Sequence, residues 1–118
     1  MKREKDHGFT LIELLIALFI LSVVLLAISS LVYSVMQATS NSKETSTATT
    51  LMQDKMETLK NTSLISLAPG NDTQRLGNID YLRQWSISTA ANIRILTVTV
   101  NWTNRGSHTV TMTTLRGD

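Results

Sequence analysis

No charged residue occurs between Glu13 and Lys43, and from Leu14 to Ile28 the chain is apolar apart from Ser22. Only Ser29, Ser30, Tyr33 and Ser34 interrupt it further before Met36. About 20 apolar residues rising about 1.5 Å each cross a hydrocarbon layer about 30 Å thick, so the sequence predicts a membrane-spanning helix over about 14–36. A helix apolar on every face can instead be buried in a protein core. Here, however, the 118-residue chain puts much of its apolar content into this one run and keeps little to surround it. Lys2, Arg3 and Lys5 precede the span, which by the positive-inside rule places the N-terminus in the cytoplasm and the remainder outside it.

What is left amounts to one small domain. The absence of cysteine excludes disulfides and thiol chemistry and fits either side of a membrane. The net charge of +2 comes from 11 basic and 9 acidic residues in scattered small groups, with no stripe to follow a phosphate backbone. Phe9, Phe19, Tyr33, Tyr81, Trp85 and Trp102 are the only aromatics, too few to form a base-stacking surface. Nucleic acid is not expected as a primary partner.

A basic N-terminus before an apolar run also fits a conventional signal peptide, with Ala27-Ile28-Ser29 as a small-x-small cleavage site and a secreted small β-rich binding domain as the product. A permanent single-pass membrane-anchored domain is a further alternative. Neither explains Glu13, because a carboxylate within a span costs about 2.5 to 3.5 kcal/mol on insertion scales and needs a partner.

Gly8-Phe9-Thr10-Leu11-Ile12-Glu13 resembles the processing site of type IV prepilins and type II secretion pseudopilins, without a departure. The resemblance covers about the first third of the chain. It implies a leader peptide over 1–8, cleavage between Gly8 and Phe9, and methylation of the new Phe9 amine by a prepilin peptidase/N-methyltransferase. Further implied partners are other pilin or pseudopilin subunits, a pilus assembly platform membrane protein, and the lipid bilayer before assembly. The chain would be a structural subunit and not an enzyme, with no cofactor, moving from the inner membrane into an extracytoplasmic filament. A glycine at the cut suits a protease that needs an unobstructed backbone. The freed amine, with a reference pKa of about 7.7 to 8.0, is mainly cationic at neutral pH. Glu13, just over one helical turn away, is thus expected to pair with the Phe9 amine of a neighbouring subunit, removing two desolvation costs and fixing axial register. The simpler alternative leaves Glu13 at the headgroup level, favoured by the helix dipole.

From Gln37 to Asn61 the chain turns polar, while Ala48, Leu51, Met52, Met56 and Leu59 recur at three- and four-residue steps. That spacing predicts an amphipathic half over about 46–61. With no proline or glycine between Phe9 and Ala68, span and amphipathic half are expected to form one helix over 9–61, about 75 Å long. The Ser/Thr-rich stretch Thr39 to Thr50 is its expected weak point. Asp54, Lys55, Glu57 and Lys60 read as ordinary surface charges. Residues 48–60 resemble, more loosely, the corresponding segment of PilV-type minor pilins and of the minor pseudopilin called I. Ser29-Ser30 stands where many major pilins carry proline, which favours a minor subunit.

The remaining residues, 62–118, are expected to form a loop plus a sheet. Pro69-Gly70-Asn71-Asp72 and Gly77-Asn78 predict a loop from Ser63 to Asn78. Beyond it Tyr81, Trp85 and Ile87 share a parity with Arg83 between them, as do Leu96, Val98, Val100 and Trp102. Such alternation predicts half-buried strands. Thr103-Asn104-Arg105-Gly106-Ser107 then predicts a hairpin loop with its glycine at positive φ, leading to a third strand through Val110 and Met112. The expected fold class is α+β and pilin-like, a long N-terminal helix packed on a small antiparallel three-stranded sheet. His108 has no cysteine or carboxylate pair beside it in sequence, so it is expected at the surface or sheet edge, with no metal site or triad. Asp72 and Asp80 match no calcium-loop spacing. The triplets at Asn61, Asn71 and Asn101 are too short to count as glycosylation sites.

Overall fold

The computed structural model describes residues 8–117. Lys2, Arg3 and Lys5, which carry the orientation argument, lie outside the described residues. One helix, α1 (Leu11–Asn61), precedes four strands: β1 (Gly70–Leu76), β2 (Ile79–Ala90), β3 (Ile93–Thr103) and β4 (Ser107–Gly117). The chain divides into two compact units, Met1–Ser40 and Asn41–Asp118, with the boundary inside α1.

In the first unit the helix opens at Thr10, whose hydroxyl accepts the Glu13 amide at 3.4 Å and whose carbonyl accepts the Leu14 amide at 3.2 Å. A threonine hydroxyl in that place satisfies one of the amide donors that a helix start leaves over. Ser22, Ser29 and Ser30 turn their hydroxyls back onto the carbonyls of Leu18, Leu25 and Ala27 at 2.7 to 2.8 Å. The large apolar side chains from Phe9 to Met36 are each at least 46% exposed.

The second unit is built around β3. Its residues Leu96, Val98, Val100 and Trp102 all point to one face and are buried, as the two-residue period requires. Tyr81 of β2 and Ala48, Met52, Met56 and Leu59 of α1 close the core from either side. The helix thus lies on an antiparallel sheet, the expected α+β layout. Thr39 to Thr50, the expected weak point, is helical throughout. The hydroxyls of Thr45, Thr47, Thr49 and Thr50 donate to carbonyls four residues back at 2.8 to 3.0 Å, so their polar groups are satisfied within the helix.

The sheet has four strands and not three, in the order β1-β2-β3-β4. The additional strand lies where the sequence predicts a loop. Gly77-Asn78 is a two-residue turn that brings Leu76 opposite Ile79, with Gly77 at φ 63°, and the strand before it pairs with β2 back to Gly70 and Trp85. β1 escapes the periodicity argument because it is polar on both faces, with Leu76 as its only large apolar residue. Gly70 is required by close packing, since a Cβ there would stand 2.7 Å from Trp85 Cζ2. The β3–β4 turn also differs from expectation. The residue at positive φ is Arg105, at 53°, and not Gly106. The left-handed conformation falls one place earlier in the loop, at an exposed tip where the arginine side chain is unobstructed.

Candidate functional site

Gly8, Phe9 and Thr10 precede the first helical residue, Leu11. A Cβ built on Gly8 would meet no atom within 4 Å, and Phe9 is 84% exposed, so the Gly8–Phe9 bond lies in accessible chain ahead of the helix. Glu13 is exposed in the first turn of α1, the end at which the helix dipole favours negative charge. The arrangement offers an accessible glycine–aromatic bond, an acid one turn beyond it, and an uncovered apolar surface behind that acid.

In the second unit, polar side chains set the placement of helix, sheet and loops. Arg83 occupies the inward parity between Tyr81 and Trp85 and is only 7% exposed. It donates twice to Asp72, Nε to Oδ1 at 2.7 Å and Nη2 to Oδ2 at 2.6 Å, once to the Leu51 carbonyl at 3.4 Å, and lies 3.7 Å from Asp54. The paired hydrogen bonds hold the Asp72 carboxyl below the usual carboxylate range and raise the Arg83 guanidinium, in each case outweighing desolvation. Lys55 completes the cluster with its ammonium 3.6 Å from the centre of the Trp85 ring and 3.9 Å from Asp72. Asp72 is therefore engaged by Arg83, and Asp80 lies 3.8 Å from Arg75. Among the described residues no group of three or more metal-ligating side chains is formed.

At the other end of the core Glu44, 6% exposed, accepts the Trp102 indole N–H at 3.3 Å and the Asn104 side-chain amide. Trp102 is packed between Tyr81, at 5.8 Å between ring centres, and His108, stacked at 5.3 Å and 17°. His108 lies on β4, an edge strand of the sheet as expected, and is half-buried against that ring. Burial, and secondarily the nearby Glu44 carboxylate, push the Tyr81 hydroxyl above its ordinary pKa. The helix end is held by Arg116, which donates to the carbonyls of Leu59 and Thr62 at 3.2 and 2.7 Å.

Sequence reasoning missed Glu44 and Lys55. Glu44 was legible in principle, because it continues the four-residue series Ala48, Met52, Met56 by one step toward the N-terminus. Lys55 was legible in the same way, since it stands four residues from both Leu51 and Leu59, although its neighbours Trp85 and Asp72 come from strands distant in sequence.

The N-terminal stretch has the features of a class of chain anchored in a membrane through a single apolar helix. More particularly, the family model of the prokaryotic N-terminal methylation motif matches residues 3–29, which supports the type IV prepilin and pseudopilin family. The match ends within the first unit and includes Gly8, Phe9 and Glu13. No curated protein and no solved structure matches the chain.

Proposed function

We propose that this protein is a structural subunit, of the minor PilV-like kind, of a type IV pilus or a type II secretion pseudopilus. The observation that carries the reading is the joining of a methylation motif to a helix whose apolar side chains have no cover of their own. Such a surface is stable only in lipid or against copies of similar helices. In this reading residues 1–8 are a leader held in the cytoplasm, and a prepilin peptidase/N-methyltransferase cuts after Gly8 and methylates Phe9. The accessible Gly8–Phe9 bond supports that step.

The cut changes the electrostatics. It removes a leader rich in charge and creates an amine close to Glu13, so each subunit then carries a cation and an anion at the head of an apolar rod. In the bilayer the pair lies at the interface. As an assembly platform protein moves the subunit into the filament, Glu13 pairs with the Phe9 amine of a neighbour and sets the axial step, since any other register leaves both charges desolvated and apart. The second unit, with its own core, faces outward. Ser29-Ser30 in place of a proline supports a minor subunit.

Mass spectrometry of the mature protein tests the processing. A chain beginning at N-methylated Phe9 is expected, whereas a start near Ser30 indicates a conventional signal peptidase and an intact leader in assembled material overturns the reading. Glu13→Ala is expected to be processed but to enter filaments at least about tenfold less well, the equivalent of about 1.4 kcal/mol. Incorporation equal to wild type removes the pairing role.

A further inference from the structure

The sheet forks at one end. β2 and β3 are paired only as far as Leu82 and Asn101, yet β2 runs on to Ile79 beside β1 and β3 runs on to Thr103 beside β4. A cavity of about 340 Å³ opens there, lined by Asn78, Asp80, Leu82, Asn101, Thr103 and Ser107, with Trp102 completing its wall. That volume lies at the low end of the roughly 300 to 1,000 Å³ of small-molecule sites, room for a ligand of one or two six-membered rings.

The polar groups at the fork converge without being used up. Among the described residues, the side chains of Asn78, Thr103 and Ser107 have no hydrogen-bond partner within the chain. Asn101 accepts from the Thr109 hydroxyl at 2.7 Å and donates to Gln84 at 3.4 Å, which fixes its orientation and leaves one donor and one acceptor position over. Asp80 lies 3.8 Å from Arg75 in an exposed pair, which competes only weakly with a ligand.

Charge narrows the choice of occupant. A hard cation takes about six to eight oxygens and usually several carboxylates, whereas the fork has one carboxylate with a guanidinium beside it. An anion meets the Asp80 carboxylate. Arg75 and Asp80 are the only charged strand residues on this outer face of the sheet, so nothing farther along it selects a charged ligand. An uncharged molecule rich in hydroxyls answers to both the donors and the acceptors.

We propose that the fork binds a neutral sugar, a hexopyranose unit of a glycan. Asp80 accepts hydrogen bonds from two adjacent hydroxyls of the ring, the strong, charge-assisted kind. The amides of Asn78 and Asn101 and the hydroxyls of Thr103 and Ser107 serve the remaining oxygens, and Leu82 meets the C–H face. The site lies wholly within the second unit and does not rest on the filament reading.

The test uses the full-length, isotope-labelled chain in phosphocholine micelles, whose headgroups hold no sugar. Maltose, lactose and mannobiose are titrated in, and the amide resonances are followed by NMR. At least one of the three is expected to shift Asn78, Asp80, Thr103 and Ser107 saturably, with a Kd of about 1 to 10 mM. Calcium alone and inorganic phosphate alone are expected to leave those resonances in place. Asp80→Asn is expected to weaken sugar binding at least about tenfold, and Thr103→Arg, which fills the cavity, to abolish it, both with an unchanged urea midpoint. Thr111→Ala, on the same face but away from the fork, is expected to bind as wild type. The proposal is overturned if none of the sugars gives a saturable shift at about tenfold the expected Kd, if the shifts map away from the fork, or if calcium or phosphate alone saturates it. Undiminished binding by Asp80→Asn and Thr103→Arg overturns it equally.

Discussion

Residues 9–36 and the unit after Ser40 place their apolar side chains in opposite ways. In the helix of the first unit the backbone is satisfied internally and every large apolar side chain is exposed. In the second unit the apolar side chains of α1, β2 and β3 cover one another, and the few buried polar groups, Glu44 and Arg83, have partners within the unit. The first region has secondary structure without a core, and the second has a core of its own. A helix alone is thus complete in hydrogen bonding yet incomplete in burial, and what completes it has to come from outside the chain.

The sharpest way to break that contrast is to remove the same side chain from each region. Leu96→Ala empties a site in the middle of β3 that is fully buried and is expected to lower stability by about 2 to 5 kcal/mol. Leu18→Ala, in the exposed run, is expected to stay within about 0.5 kcal/mol. Urea unfolding in detergent micelles reads both, by fluorescence of Trp85 and Trp102 for the second unit and by far-UV circular dichroism for the helix of the first, and a large effect of Leu18→Ala shows that the first region has a core after all.

Asp72→Ala is next in size, at about 3 kcal/mol, because it strips a buried guanidinium of its main partner. The same pair gives a pH test. The folded-state pKa of Asp72 is depressed, so between that value and the ordinary carboxylate pKa the unfolded chain binds more protons and stability rises with pH. The contribution is full above a pH of about 4 and is lost as pH falls below it. Asp72→Asn is expected to flatten that acid limb of the stability curve.

The smallest effect concerns the β3–β4 loop. Arg105 holds a left-handed conformation that disfavours a side chain, partly offset by the entropy a glycine loses on folding. Arg105→Gly is expected to raise stability by about 0.5 kcal/mol, read as a small upward shift of the urea midpoint.

The same contrast explains what the sequence discloses. The N-terminal run is legible because its signal is local and redundant: composition, the absence of charge over a long stretch, and a glycine–aromatic–acid spacing all lie within thirty positions. β2, β3 and β4 are legible for a similar reason, since burial on one face imprints an alternation on each strand. β1 is not, because its place depends on Asp72 meeting Arg83 and on Gly70 making room for Trp85, relations between residues eleven and fifteen positions apart with no periodic trace. Glu44 and Lys55 do fall on four-residue apolar series of α1, but their charge hides it. A charged residue is read as solvated unless its counterpart is known, and the counterparts of these two, Trp102 with Asn104 and Trp85 with Asp72, appear only when the strands fold back over the helix.

Ser22, Ser29 and Ser30 each turn inward onto the helix backbone, so the long apolar stretch makes no polar demand of its surroundings along that part of its length. Acyl chains and aliphatic neighbours are then nearly interchangeable environments for it, since exchanging one for the other breaks no directional bond. Along that part of the helix, the choice between them turns on packing and fit rather than on the breaking of polar contacts.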